Sequence, residues 1–413
     1  MKIIKFFILI LLLHVSFSFN QILFSQTKVN MNLDEVIKTA IENNQSIKSS
    51  RLNIEKENAI KLRSFNIPKP ELFVEYEGVQ GSLSNADSRK IGVLQEIEFP
   101  TNYFLRSDVQ SSQVQVAKEE LNIAINSLKE EVKLNYNQLL LLNELLKIST
   151  ENFTIYEEFL VTAERKYEAG ATSNLEVLGA KVNKIKFENQ IRNFSSEIRS
   201  LQSEIRNLMN VDYNISPVGE FVFRDLIISR TALVQNAVNN NPALKMMKYQ
   251  KEKFSNKISL SKGELLPDIS FKYFRQKLGS DNNYWGMELG LGVPLWFWWE
   301  PTGKIKESNY EFQIASSEEI NLRNSLENQI NQAFENYENN SRQLNFFNEE
   351  VLRETEEILR QSKISYEQGE IGYVEYLQAL NLAYETRTQY LNAIFNYNQS
   401  IINLEKLTAG EIK

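Results

Sequence analysis

The sequence predicts a mainly α fold with a small β part, in which one helix–hairpin–long helix–helix unit occurs twice. The predicted architecture is a long coiled-coil α-barrel joined to an oligomeric transmembrane β-barrel. Three observations lead there: an internal repeat, apolar residues recurring every seven positions, and short strands with one apolar face. The repeat is carried by several blocks in the same order. Ala40-Ile41-Glu42-Asn43-Asn44-Gln45-Ser46-Ile47-Lys48 returns as Ala237-Val238-Asn239-Asn240-Asn241-Pro242-Ala243-Leu244-Lys245. Pro70-Glu71-Leu72, followed by Tyr76, returns as Pro267-Asp268-Ile269, followed by Tyr273. Tyr167-Glu168-Ala169-Gly170, with Glu176, Leu178 and Ala180, returns as Tyr366-Glu367-Gln368-Gly369, with Glu375, Leu377 and Ala379. Each unit is far longer than a solenoid repeat, so the chain divides into a leader at 1–25, a first repeat at 26–215 and a second at 216–413.

Residues 1–25 read as a secretory signal peptide. Lys2 and Lys5 precede the apolar run from Phe6 to Leu13, which is too short to span a bilayer, and Ser16, Ser18 and Ser25 follow. Its removal takes away His14, the chain's single histidine, and two lysines, so the net charge moves from −7 to −9. An acidic chain has no cationic surplus for holding nucleic acid. With no Cys and no remaining His, zinc, copper and haem sites of the usual kind are excluded, as are Cys–His and Ser–His–Asp centres. Acidic residues abound, but no spacing singles out a catalytic pair. The sequence therefore predicts no enzyme, no metal site and no cofactor. No second apolar stretch is long enough for a membrane helix, so residence in a membrane has to come through strands.

Each repeat is read in order as helix, two strands, very long helix, helix. Residues 32–66 are polar and helix-permissive until Pro68 and Pro70 end them. In the long helix over 102–168, Leu121, Ile125, Leu128, Val132, Leu139, Leu142, Leu146, Phe153, Tyr156, Leu160, Ala163 and Tyr167 share one register, interrupted by Asn135 and Ser149. Phe187, Ile191, Phe194, Ile198, Leu201, Ile205 and Leu208 keep the rhythm in the next helix, 173–209. In the second repeat Ile330, Tyr337, Leu344, Val351 and Ile358 step by sevens through a helix over 303–367. Such spacing predicts helices wound about one another with a left-handed supercoil. At ~1.5 Å per residue each long helix spans roughly 100 Å, and the flanking helices, including 231–264 and 372–407, about half that. Two short helices end to end therefore match one long helix.

The strands alternate. Leu72, Val74 and Tyr76 oppose Phe73, Glu75 and Glu77, and a second strand over 90–99 puts Ile91, Val93, Ile97 and Phe99 on one face. In the second repeat Ile269, Phe271 and Tyr273 alternate with Ser270 and Lys272. Trp285, Met287, Leu289, Leu291 and Val293 then alternate with Gly286, Glu288, Gly290 and Gly292. An apolar face backed by Gly and Glu suits a wall between lipid and water. Glu75, Lys272 and Glu288 then face the lumen. Trp285 at one strand end and Trp296, Phe297, Trp298 and Trp299 at the other are candidate membrane-interface aromatics. Four strands cannot close a barrel, so several chains must pool them. Three copies give twelve strands; two copies are the alternative.

These duplicated motifs resemble the TolC-type outer-membrane efflux family over nearly all of the mature length. The resemblance rests on the elements at Ala40 and Ala237, the strand starts at Pro70 and Pro267, and above all the block at 167–180 and again at 366–379. Gln45 departs from the expected Pro, which Pro242 supplies in the other copy. The run Val293-Pro294-Leu295-Trp296-Phe297 also resembles the heavy-metal efflux branch of that family. The resemblance implies a homotrimer in the cell outer membrane, with its helical part in the periplasm. It implies a passive exit duct for small molecules or metal ions, working with a periplasmic adaptor (membrane fusion) protein and a proton-driven inner-membrane pump. A type I protein-secretion duct fits the same features. The residues alone also fit an exported coiled-coil structural protein without a pore. Gly170, Ala171 and Thr172, with Gly369, Glu370 and Ile371, are then the two turns at the adaptor-binding tip. Each Gly is first of all a C-cap. Glu176 and Glu375, just beyond the turns, are helix-start carboxylates placed to make an acidic entrance.

Overall fold

The computed structural model describes residues 28–219, 221, 229–294 and 299–412. The signal segment and Trp296, Phe297 and Trp298 therefore lie outside the described residues. The first half runs β1 (Lys28–Met31), α1 (Leu33–Asn43), α2 (Gln45–Leu62), β2 (Glu71–Glu77), β3 (Ser88–Ile97), α3 (Thr101–Glu168), α4 (Asn174–Met209) and β4 (Asn214–Pro217). The second half runs α5 (Arg230–Asn240), α6 (Pro242–Gly263), β5 (Asp268–Leu278), β6 (Asp281–Gly292), α7 (Glu300–Phe346), α8 (Leu352–Glu367) and α9 (Tyr373–Thr408). Among the described residues no helix is long and apolar enough to cross a membrane.

The stretches 32–66 and 231–264, each expected as one helix, are both broken. Asn44 and Asn241 leave the helical region, with ψ of 128° and 121°. The break is held from outside: the Asn44 side-chain amide donates to the Leu208 carbonyl at 3.0 Å, and Asn241 donates to the Leu407 carbonyl at 2.9 Å. Asn241 also caps α6, its side-chain oxygen accepting from the Ala243 and Leu244 amides, with Pro242 at the first helical position. The repeated Ala and Asn now have physical reasons. Ala40 and Ala237 are fully buried, where a larger side chain would not fit, and each Asn ties a helix joint to the last turn of a distant helix. The entry to α1 is fixed by a capping box between Asn32 and Glu35, at 2.9 and 2.8 Å.

The long helix α3 is unbroken over 68 residues. Its predicted register holds: Leu128, Val132, Leu139, Leu142, Tyr156 and Ala163 are buried. The supposed interruption at Ser149 is itself a buried position, its hydroxyl 3.4 Å from that of Tyr384. The second copy differs. A five-residue π turn, Phe347–Val351, separates α7 from α8. A π turn carries one extra residue, so it rotates everything beyond it by one position. Ile330, Tyr337 and Leu344 are buried as predicted, but the step of seven fails after them: Ile358 is 46% exposed. Thr355 and Leu359 take the core-facing places instead.

The chain forms two compact units, and both draw on both halves of the sequence. One comprises Met1–Asn44, Glu131–Phe223 and Leu344–Asn396; the other comprises Gln45–Glu130, Arg224–Gln343 and Tyr397–Lys413. In the first, β1 and β4 pair in parallel, joining two segments almost two hundred residues apart. Tyr136 anchors that pair: its hydroxyl accepts from the Val218 amide at 2.9 Å and donates to the Met31 carbonyl at 3.0 Å. The core of this unit gathers Leu141, Leu145, Tyr156, Phe159, Phe187, Leu380 and Tyr384. The second unit carries the four-stranded sheet, together with a helical core that includes Ile330, Phe334, Tyr337 and Tyr397.

Deleting Asn348 should collapse the π turn to ordinary α-helix and keep the core registers on both sides. Deleting Glu151 from α3 should rotate the rest of that helix out of register and cost more than about 4 kcal/mol. Thermal unfolding followed by circular dichroism checks this: equal losses in the two deletion variants would refute the reading of the turn.

Candidate functional site

The sheet has the order β2-β3-β5-β6, antiparallel throughout, so the hairpins of the two halves meet at β3 and β5. Register sorts its two faces. Leu72, Val93, Tyr273 and Met287 lie in one row, with Val74, Ile91, Arg275 and Trp285 in the next. This face is bare: Leu72 is 85% exposed, Met287 60%, Leu289 72% and Leu291 70%. Large apolar side chains left this open on one sheet face mark a surface made for something other than water. Trp285 is 67% exposed and lies beside Tyr273, with ring centroids 6.3 Å apart; Trp299, just before α7, is 71% exposed.

The opposite face holds the charges that the alternation assigns to it. Glu75, Lys272 and Glu288 share it, Lys272 lying directly across from Glu288 in register. Lys90 and two phenylalanines, which motif reading did not single out, complete the cluster. Lys90 Nζ donates to Glu75 at 3.0 Å and to Glu77 at 2.8 Å, and Lys272 Nζ donates to Glu75 at 3.4 Å. Lys272 also sits 4.4 Å above the Phe73 ring, and Lys90 5.7 Å above Phe274. Phe274 can lie flat because Gly286 stands opposite, where an added Cβ would come within 2.4 Å of its ring. The period-two pattern places each of these side chains on this face. Only the register shows that they touch.

The two predicted turns are copies in detail. Gly170 and Gly369 have φ of 71° and 77°, the left-handed region. At the first, the Gly170 amide donates to the Tyr167 carbonyl at 2.9 Å and the Ala171 amide to Lys166 at 2.8 Å. At the second, Gly369 donates to Tyr366 at 3.1 Å and Glu370 to Ser365 at 2.8 Å. Both are Schellman motifs, which satisfy the last carbonyls of α3 and α8. Ala171, Gly170, Gly369 and Glu370 are exposed, whereas Thr172 and Ile371 are half-buried. Glu176 accepts a hydrogen bond from the Thr172 hydroxyl, and the Glu375 carboxylate folds back over Gly372. Both carboxylates stand in the first turn of their helices, α4 and α9.

Behind the turns lies an aromatic ladder. Phe159 stacks on Tyr373 at 4.5 Å, Tyr366 on Tyr376 at 5.0 Å, and Tyr156 on Phe187 at 5.3 Å, while Tyr384 meets Phe187 edge-on at 4.8 Å. Lys166 ties one turn to the other by donating to the Tyr366 hydroxyl at 3.3 Å. Burial, with Glu176 nearby, pushes the Tyr373 hydroxyl up to about 12; burial also raises Tyr156 and Tyr376. The heptad pattern marks Tyr156 as core, but the ring pairings depend on which helices become neighbours. Among the described residues no group of three or more His, Cys, Asp or Glu is placed to hold a metal ion.

A duplicated helical unit that carries an apolar-faced hairpin in each half defines a channel-forming class of membrane protein. The sequence model of outer membrane efflux proteins matches residues 36–211 and again 233–410, most of the chain. The chain belongs to that family, and is a TolC-type outer-membrane efflux channel rather than an enzyme. Solved structures share the fold. The crystal structure of CusC superposes with a TM-score of 0.75 at 15% identity, covering 93% of this chain and 94% of that one. A membrane protein from Pseudomonas aeruginosa gives 0.76 at 14% identity, covering 94% and 92%. VceC from Vibrio cholerae gives 0.71 at 13% identity, covering 92% and 97%. No curated protein sequence matches the chain significantly.

Replacing Gly170 or Gly369 by Ala should each cost about 1–2 kcal/mol, through backbone strain alone. An added Cβ meets nothing within 4 Å at either site. Asn at the same positions should cost less, and denaturant titration of the three variants reads the difference. The tyrosines give a pH signature. Their folded-state values lie above the unfolded one, so their contribution to stability is fully present below about pH 10. It is lost as pH rises through 12, the value of Tyr373. Tyr373→Phe should flatten the alkaline fall in melting temperature. An unchanged profile would show that the ladder does not govern it.

Proposed function

We propose that this chain is the outer-membrane duct of a three-part efflux system. Three copies pool their sheets into a twelve-stranded barrel whose apolar face meets lipid and whose Glu75, Lys272 and Glu288 face a water-filled lumen. The observation that carries the reading is the sheet itself. Its outer face is apolar, and β2 and β6 each have a neighbour on one side only among the described residues. Backbone groups along such edges cannot stay unpaired in hydrocarbon, so one chain is not a complete wall. Trp285 and Trp299, with Trp296, Phe297 and Trp298, mark the two water boundaries.

On this reading residues 1–25 direct export and are removed, the two repeats occupy 26–215 and 216–413, and the helical part stands in the periplasm. The turns at Gly170, Ala171 and Thr172 and at Gly369, Glu370 and Ile371 meet hairpins of a periplasmic adaptor, which couples the duct to a proton-driven inner-membrane pump. The cargo is small molecules or metal ions. The duct itself is passive, with energy supplied by the pump. Glu176 and Glu375 near the entrance favour cations.

Purified, detergent-solubilised protein should run as a trimer by native mass and should conduct as single channels in planar bilayers. A soluble monomer that passes no current would sink the proposal. The double variant Glu176→Gln, Glu375→Gln should lower cation-over-anion selectivity severalfold in the same recordings, while single-channel insertion stays unchanged.

A further inference from the structure

The outer face of the sheet is apolar along most of its length, but not at its hairpin end. There Arg89, Arg275 and Lys277 all point outward and are exposed. Arg89 and Lys277 are direct cross-strand partners, and Arg275 lies two residues from Lys277 on the same face. Like charges set opposite each other across an antiparallel pair are destabilising unless something between them is negative. Among the described residues no ion pair is made by any of the three. Asp87 is the acidic residue nearest Arg89 in the sequence, and its carboxylate is packed against Gly78, where an added Cβ would touch it at 2.2 Å. Arg89 is steadied by the Tyr76 ring, with its guanidinium 5.6 Å from the centroid. Arg275 stands in register between Ile91 and Trp285, at the level where the apolar rows end.

We propose that Arg89, Arg275 and Lys277 form a binding site for the phosphate groups of anionic lipids, in the leaflet at the hairpin end of the barrel. The proposal rests on the reading of this face as lipid-facing. Three cations stand at the rim of an apolar band beside a tryptophan. Their aliphatic stems lie along the band, and their charged ends reach the headgroup layer. Guanidinium groups grip phosphate through two parallel hydrogen bonds, and the lysine adds a compact third charge. One anionic phosphate between Arg89 and Lys277 turns the repulsive pair into two attractive contacts. The site repeats once per subunit around the barrel.

The test uses full-length wild type and the triple variant Arg89→Gln, Arg275→Gln, Lys277→Gln, with Arg89→Lys, Arg275→Lys as the charge-keeping control. Each is first floated with phosphatidylcholine vesicles, which reads insertion alone. Each is then equilibrated with phosphatidylcholine containing phosphatidylglycerol, and the retained lipid is identified by native mass spectrometry. Wild type should insert in both and retain the anionic lipid selectively. The triple variant should insert equally well and lose that selectivity roughly a hundredfold, on the order of fivefold per cation. The lysine control should keep most of it. Equal selectivity in wild type and triple variant overturns the lipid site. Release of the retained lipid by inorganic phosphate at matched phosphate concentration overturns the lipid as its source. Failure of wild type to float with any vesicle overturns the channel reading beneath it, and is seen before selectivity is measured.

Discussion

The backbone along the outer sides of β2 and β6, which has no strand partner among the described residues, is the constraint on which the rest depends. In water an open edge is a nuisance; in hydrocarbon each lone N–H or C=O costs several kcal/mol. A sheet of four strands with an apolar face is therefore an unfinished object. The edges differ, β2 having seven residues and β6 twelve. A join of one to the other on a neighbouring copy is head-to-tail, and head-to-tail joins close into rings when the rotation permits. On the proposed reading, the ring is closed by the same kind of hydrogen bond that holds each hairpin together. The helix α3 begins at Thr101, with only residues 98–100 between it and the end of β3 at Ile97.

Much of this was legible because it is periodic. Strand alternation put Glu75, Lys272 and Glu288 on one face and Leu72, Met287 and Leu289 on the other, and the structure keeps that division. The glycines of the turns were legible for a local reason, since a left-handed residue after a long helix needs little beyond its neighbours. The helix joints were not. Asn44 and Asn241 break their helices by reaching carbonyls on helices far along the chain, and no local pattern contains that partner. The π turn was hidden differently. Ile358 is apolar, so the step of seven passes through it unbroken, although an exposed isoleucine is an ordinary surface residue. The ring pairs behind the turns share this limit: each tyrosine is visible as a heptad residue, but its stacking partner is not.

The π turn also accounts for a mismatch between the two halves. Copies of the hairpin start are 197 residues apart, as at Pro70 and Pro267, whereas copies of the turn are 199 apart, as at Gly170 and Gly369. Core positions show where the difference enters. Val132 and Leu139 correspond to Ile330 and Tyr337, at a separation of 198, but Tyr156 corresponds to Thr355, at 199. The first added residue is the net of changes upstream of Val132, where the second hairpin has a shorter loop and a longer connection to its helix. The other enters inside the helix, where every side chain beyond it would turn by about 100° if the helix stayed regular. Widening one turn confines that rotation to Phe347–Val351 and returns Thr355 to the core. The block from Tyr167 to Ala180 therefore matches that from Tyr366 to Ala379 at one constant offset, because the insertion was taken up before it.

Charge on the sheet divides with the same parity as hydrophobicity. Lys90 and Arg89 are adjacent in β3, yet their surroundings are opposite. Lys90 faces two carboxylates within 3.0 Å, and Lys272 on the same face reaches one of them. Arg89 faces a tyrosine ring and, across the ladder, another cation. A general excess of basic residues cannot explain this, because the chain is acidic and its inner-face lysines are neutralised with care. Among the described residues of the sheet, the cations that make no ion pair (Arg89, Arg275 and Lys277) lie on the outer face, in the rows beyond the exposed leucines. Their distribution follows the boundary of the apolar band rather than the composition of the strand. A charge placed by depth implies a partner that is also placed by depth, and a layer of anionic headgroups is such a partner.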